Sequence, residues 1–345
     1  MKKKWRIGIF ESENGIEAFR AGLEEYGDLY FFPEVINKHL DELPKLDVAS
    51  VFIRSRVTKQ VLDKMPRLKM LATRSTGFDQ IDIAAASERG IPVANIPTYG
   101  ENTVAEHTFA LILALSRNIH RAHVRTMQSN FSLADLQGFD LKGKTLGVIG
   151  AGHIGLYVAK MAKGFDMNVL VYDISRNPFL AEVMGFEYTD FDSLLRASDI
   201  VTVHAPYSAK THHLIDREAM TKMKRGSLLI NTARGALVDT EALVWALDQG
   251  ILGGAGLDVL EGEELVSEEA EILSTAYSAE TLAKLVRSNI LVRRDNVVIT
   301  PHIAFYSREA VQRIIDTTIQ NIRQFISGRP QNIVNMPAAD RKKAA

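Results

Sequence analysis

Three glycines at the spacing Gly150-x-Gly152-x-x-Gly155, with an acid at Asp173 about twenty residues on, could hold the phosphates and one ribose of a dinucleotide. Gly150 allows a tight turn, Gly152 has no side chain to keep a pyrophosphate off the backbone, and Gly155 lets a helix pack on its strand. A carboxylate at 173 would accept both ribose hydroxyls and repel a 2′-phosphate, which favours NAD over NADP. Further on, each of four apolar runs ends in residues suited to chemistry: His204 with Pro206, then Thr232-Ala233-Arg234, then Asp258 and an acidic turn (Glu261, Glu263, Glu264), then His302. An Arg, a carboxylate and a His beside a nicotinamide suit the reduction of a 2-keto acid. Arg can hold a carboxylate by two parallel bonds and polarise the adjacent carbonyl. His can protonate the oxygen as hydride reaches C2, and a neighbouring carboxylate favours its charged form.

The elements that must position these residues are short and alternate. Strands are expected at 6–10, weakly at 29–32, and at 49–53, 69–73 and 92–95, with helices at 15–26, 58–65 and 81–89. This alternation implies a parallel sheet covered on both faces. A helix follows from 101 to about 120, apolar almost all round and therefore expected to be buried between domains or subunits. Residues 121–143 look basic and irregular, a candidate arm for a dimer contact. A second α/β unit then has strands at 145–149, 168–172, 199–203, 227–231, 254–258 and 296–300, the six of a dinucleotide-binding sheet. An amphipathic helix at 306–326 is stopped by Gly328 and Pro330, and 338–345 should fray. Ligands of such sheets sit at the carboxyl ends of the strands, where the candidate residues lie.

Composition narrows the field. A net charge of −1 gives no support for a nucleic-acid or anionic-membrane partner. The absence of cysteine excludes disulfides, zinc thiolates and cysteine nucleophiles. The basic N-terminus lacks the apolar core of a signal peptide, and the longest clean apolar run, 109–115, is far too short for a membrane span. A cytoplasmic protein without a metal site is the expectation. Gly138-Phe-Asp-Leu-Lys-Gly143-Lys144-Thr145 matches a phosphate-loop pattern, but it leads into a strand instead of following one, so it is a chance match.

Along nearly its whole length the chain resembles the D-isomer-specific 2-hydroxyacid dehydrogenases. The resemblance rests on Thr73-Arg-Ser-Thr-Gly-Phe-Asp79, Asn102-Thr-Val-Ala-Glu-His107, the glycine loop, Asn231-Thr-Ala-Arg-Gly-Ala-Leu-Val-Asp239, Gly256-Leu-Asp-Val259 and Thr300-Pro-His-Ile-Ala304. It implies an α/β fold of two Rossmann-like, doubly wound parallel-sheet domains, with the NAD domain (101–303) inserted into a split substrate domain (1–100 and 304–345). By the family's pattern Arg234, Glu263 and His302 are catalytic, and Thr76 and Gly77 hold the substrate carboxylate with help from Tyr99. Asp258 would bind the nicotinamide amide, His153 and Ile154 the pyrophosphate and nicotinamide side, and His204 and Pro206 the adenosine side, with Thr232 and Ala233 also at the cofactor. Phe305-Tyr306 after the His302 motif, and the long segment between Glu263 and Asn296, look most like D-lactate dehydrogenases. Phe305 would then pack against a small apolar substrate side chain. Arg54 departs from that pattern and would be a second cation near the substrate.

The resulting expectation is an NAD-dependent homodimer that reduces pyruvate to D-lactate. The alternatives are the same reaction on phenylpyruvate, hydroxypyruvate, glyoxylate or oxaloacetate. A more distant one is an NAD(H)-sensing binding protein on the same scaffold.

Overall fold

The computed structural model describes residues 4–13, 15–262, 286–287 and 289–335. The chain divides into two compact units, Met1–Tyr99 with Ser307–Ala345, and Gly100–Tyr306.

The first unit is built on a five-stranded sheet: β1 (Trp5–Ile9), β2 (Gly27–Phe31), β3 (Val48–Val51), β4 (Met70–Thr73) and β5 (Val93–Ala94). Its order is β2-β1-β3-β4-β5 and every pairing is parallel. Helix α1 (Ile16–Leu23) leads from β1 to β2, while α2 (Lys59–Asp63) and α3 (Ile83–Glu88) make the next crossovers. Successive residues of a strand face opposite sides, and here both sides are apolar. Met70 and Ala72 join Phe19 and Leu23 on one face, whereas Leu71 joins Leu62, Met65 and Ala85 on the other. That is why these strands read as continuous apolar runs with no polar alternation.

The second unit opens with α4 (Glu101–Ser116) and α5 (Ile119–Met127). It then builds β6 (Thr145–Ile149), α6 (His153–Gly164), β7 (Asn168–Tyr172), α7 (Pro178–Met184), β8 (Glu187–Tyr188), α8 (Phe191–Ala197) and β9 (Ile200–Val203). After these come α9 (Arg217–Lys222), β10 (Ser227–Asn231), α10 (Thr240–Asp248), β11 (Leu252–Leu257) and β12 (Val297–Ile299). The sheet order is β12-β11-β10-β9-β6-β7-β8, again wholly parallel. The order reverses between β6 and β9, the switch point at which such sheets bind ligands. The last described helix, α11 (Arg308–Ile326), is capped by the Ser307 hydroxyl and packs Ile315 and Ile319 on the first sheet.

Several elements differ from the sequence reading. The second sheet has a seventh, edge strand, β8, too short to show any periodicity. The helix expected to run from 101 to about 120 breaks at Asn118, whose φ of 51° is left-handed, and part of the supposedly irregular stretch is α5. The apolar residues of α4 are not waiting for another domain or subunit: Ala105, Phe109, Leu111, Ile112 and Leu115 join Val158 and Ala159 of α6 in one core on the sheet. Among the described residues no helix is long and apolar enough to cross a membrane, and no group of His, Asp or Glu could hold a metal ion.

The glycine turn is the tightest constraint in this unit. A Cβ at Gly155 would lie 2.0 Å from the Gly150 carbonyl oxygen, a backbone atom that cannot swing away. Gly155→Ala should therefore destabilise the protein by about 1–3 kcal/mol. Thermal unfolding measures this, and an unchanged Tm would show that α6 can slide off β6 without loss.

Candidate active site

The candidate residues of the second unit stand at the carboxyl ends of neighbouring parallel strands. After β6, Gly150 has φ 101° and carries the chain back against His204 and Ala205, which follow β9. Space around Gly152 is open, and α6 begins there with no side-chain cap. The first N–H groups of the helix, from His153 through Ile154 to Gly155, are thus a ready site for phosphate oxygens. Asp173, at the end of β7, accepts the Ala151 N–H at 2.6 Å and the Ser175 N–H at 2.7 Å. Its carboxylate so closes the turn, and each oxygen keeps a lone pair for a ribose hydroxyl. His153 is exposed, with Nδ1 3.5 Å from Glu101 Oε1. These features fit a bound dinucleotide: a turn only glycine can make, an uncapped helix start and an acid beside it.

At β9, His204 Nε2 lies 2.9 Å from the Thr202 hydroxyl. Burial pushes this imidazole down to about 3, so the ring is neutral at working pH. Pro206 is exposed, and its carbonyl accepts from Thr211. At β10, the buried Asn231 shapes the turn that carries Arg234. Its Oδ1 accepts the Ala233 N–H at 3.0 Å and its Nδ2 donates to the Arg234 carbonyl at 2.9 Å. Thr232 is buried, its hydroxyl 3.0 Å from that of Thr108 on α4. Arg234 is half-buried, and its Nη1 donates to the Ala233 carbonyl.

Beyond β11, Asp258 is 1% exposed, and its carboxylate accepts the Thr300 hydroxyl and the N–H groups of Ile303 and Ala304, the latter two at 2.9 and 2.8 Å. The His302 N–H donates to the Asp258 and Thr300 carbonyls at 2.8 and 2.9 Å. His302 adopts φ 55°, a left-handed conformation unusual for a residue with a Cβ. The buried Phe305 stands edge-on to the His302 ring, with centroids 6.4 Å apart. Glu263 lies outside the described residues. Of the same acidic turn, Glu261 accepts from His213 Nε2 at 3.2 Å and from the Thr240 hydroxyl at 3.1 Å.

In the first unit, Thr76 and Gly77 follow β4 at its carboxyl end. Their carbonyls accept from Asn95 Nδ2 and the Ser75 hydroxyl, at 2.8 and 2.6 Å. Among the described residues their N–H groups meet no acceptor, which leaves a pair of donors suited to an anion. Arg54 has its N–H fixed by Glu11 Oε1 at 3.0 Å and is exposed. Tyr99 is half-buried, and its carbonyl accepts from Arg313 Nε.

Residues 109–304, more than half of the chain, match the family model described as the NAD binding domain of D-isomer specific 2-hydroxyacid dehydrogenases. The chain belongs to this family. It is 38% identical over 315 residues to an aromatic 2-oxoacid reductase of Clostridium sporogenes, covering 90% of this chain and 92% of that protein. It is 36% identical over 304 residues to a glyoxylate reductase of Thermococcus litoralis, covering 86% of each. The solved structure of a D-lactate dehydrogenase from Aquifex aeolicus, complexed with NAD and lactic acid, superposes with a TM-score of 0.87 at 37% identity, covering 96% of this chain and 100% of that one. This D-2-hydroxyacid dehydrogenase is accordingly an NAD-linked oxidoreductase built from five- and seven-stranded parallel sheets.

The sequence reading passed over the residues that shape the dehydrogenase's strand-end turns. Asn231, His107 and Thr300 belong to the family's motifs without a role of their own there, and Thr108 lies one residue past the Asn102–His107 motif. The available signal was polarity out of place: Glu106-His107-Thr108 interrupts a helix that is apolar on either side, at Val104-Ala105 and from Phe109 to Leu115.

His204 generates a pH prediction. Its folded value, about 3, is below the ordinary 6.5, so in that window the unfolded chain binds a proton that the folded one refuses. Its contribution to stability is complete above pH 6.5 and is lost as pH falls toward about 3. His204→Gln should flatten this acid limb. Parallel Tm-against-pH slopes for wild type and variant would count against it.

Proposed function

We propose that this enzyme reduces pyruvate to D-lactate. The observation that carries the reading is the placement of Arg234 and His302 on shaped turns after β10 and β12, either side of β11, in a domain of the NAD-binding family. When bound, NADH supplies the hydride for C2 of the keto acid. Arg234 binds the substrate carboxylate and polarises the C2 carbonyl. His302 donates the proton that the carbonyl oxygen takes up, and Glu263 favours the charged ring before transfer. The open N–H groups of Thr76 and Gly77 hold the carboxylate, Tyr99 adds a hydroxyl, and Arg54 is a further cation toward the same anion. Gly150, Gly152, His153, Ile154 and Gly155 cradle the pyrophosphate. Asp173 takes the ribose hydroxyls, and His204, Pro206, Thr232 and Ala233 line the rest of the dinucleotide. The second lone pair on Asp258 Oδ2 remains for the nicotinamide amide.

Phe305 supports the choice of a small substrate, because a buried ring beside His302 limits the side chain that can lie there. The kinship with glyoxylate and aromatic 2-oxoacid reductases makes those acids the alternatives. The end of α5 and the arm after it leave Met127, Phe131 and Leu133 74%, 77% and 85% exposed. Apolar exposure of this kind supports a homodimer, working in the cytoplasm.

The test follows NADH loss with pyruvate, glyoxylate, phenylpyruvate, hydroxypyruvate and oxaloacetate, then determines the product's chirality. The highest kcat/KM should be with pyruvate, giving D-lactate. His302→Asn should lower kcat by about 10²–10⁴-fold while NADH binding holds, and Arg234→Ala should lower kcat/KM for every acid. Wild-type turnover by His302→Asn would remove the acid from the scheme, and a better rate on another acid would replace pyruvate.

A further inference from the structure

Helix α4 touches both turns that bear the proposed catalytic side chains. Thr108 Oγ1 donates to the Val104 carbonyl at 2.8 Å, so the hydroxyl of Thr232, 3.0 Å away, is the donor between the two. One residue earlier, His107 Nε2 lies 2.9 Å from Thr300 Oγ1 and 3.5 Å from Asp258 Oδ1. The protons in this second cluster can be assigned. An ionised carboxylate only accepts, so the single hydroxyl proton of Thr300 goes to Asp258. Thr300 Oγ1 must then accept from His107, whose Nε2 carries a proton. The order runs from His107 Nε2–H to the Thr300 hydroxyl to the Asp258 carboxylate, and that carboxylate also receives the N–H groups of Ile303 and Ala304.

We propose that His107 is a positioning residue for the proton transfer, acting through Thr300 and Asp258 to hold His302 in place. The proposal rests on the reading of His302 as the acid. A left-handed backbone at a residue with a Cβ persists only where its surroundings over-determine it. At His302, φ 55°, the restraints include two bonds to its own N–H and the Asp258 carboxylate gripping the next two N–H groups. That carboxylate is itself aimed by Thr300. Without the His107 donor, the hydroxyl loses the partner that orients it, and the 300–304 turn can settle with the imidazole displaced. His107 reaches no substrate in this scheme, so its removal should lower the rate of proton transfer far more than it weakens NADH binding.

The experiment compares His107→Phe, His107→Gln, Thr300→Val, the double variant His107→Phe/Thr300→Val, and His302→Asn, each checked for Tm and assayed with NADH and both pyruvate and glyoxylate. A displacement of about 1 Å at a reacting group can cost on the order of a hundredfold in rate, and a kcat loss of that order is expected for His107→Phe. Its NADH Kd by fluorescence titration should rise by far less than kcat falls. His107→Gln, whose side-chain amide can place an N–H near the Nε2 position, should restore kcat. The double variant should be no slower than the slower single, since both changes cut one chain of bonds. In long-range ¹H–¹⁵N spectra of the unsubstituted holoenzyme, His107 should be protonated at Nε2. Wild-type kcat in His107→Phe, equal losses in the Phe and Gln variants, or a neutral ring protonated only at Nδ1 would each overturn the proposal. Failure of the acid reading shows separately, as turnover retained in His302→Asn.

Discussion

A buried carboxylate organises the strand-end turns of the second unit. Asp258 is almost wholly withdrawn from water, and an ionised group in that position is tolerable only when its oxygens are bonded to the protein. The partners come from residues more than forty positions on: the Thr300 hydroxyl and the Ile303 and Ala304 N–H groups. Folding must therefore lay the 300–304 backbone over the end of β11, and His302 takes its left-handed conformation as the chain turns to deliver the two N–H groups after it. On β10 a neutral residue does similar work. Asn231 bonds Ala233 with its oxygen and Arg234 with its nitrogen, so the Arg234 turn is closed by an amide that can serve both a donor and an acceptor. In both cases a buried polar side chain at the end of a strand shapes the turn on which a proposed catalytic side chain stands.

The first unit uses the opposite charge for a related purpose. Arg74 is buried directly after β4, and desolvation lowers its guanidinium to about 10, which leaves it charged at neutral pH. It donates to the carbonyls of Phe10, Glu11 and Ser50, with Nη2 2.5 and 2.9 Å from the first two. Glu11, held at φ 51°, turns its carboxylate to the N–H groups of Phe52 and Arg54. One buried cation thus ties the turn after β1 to β3 and to its own position at the end of β4, and the open N–H groups of Thr76 and Gly77 lie two and three residues beyond it. A substrate anion at those donors would meet a loop whose carbonyls are already satisfied from below by Asn95 and Ser75.

The amino-acid sequence by itself determined the class of fold and the chemistry available to it. Strands buried on both faces must be apolar throughout, so they read clearly, and the glycine spacing with Asp173 named the ligand class because few other residues permit that turn. The strand-end positions of Arg234 and His302 were legible because each follows such a strand. Short-range information ended there. A two-residue edge strand such as β8 has no period to detect, and the break at Asn118 depends on one backbone angle. Only the tertiary structure decided what Asp258 and His107 do, since a hydrogen-bond partner 42 or 193 residues away leaves no mark on local pattern. Sequence spacing places a polar residue at a strand end or on a helix face. The packing of α4 on the sheet, and the need to bond every buried polar atom, select the group it meets.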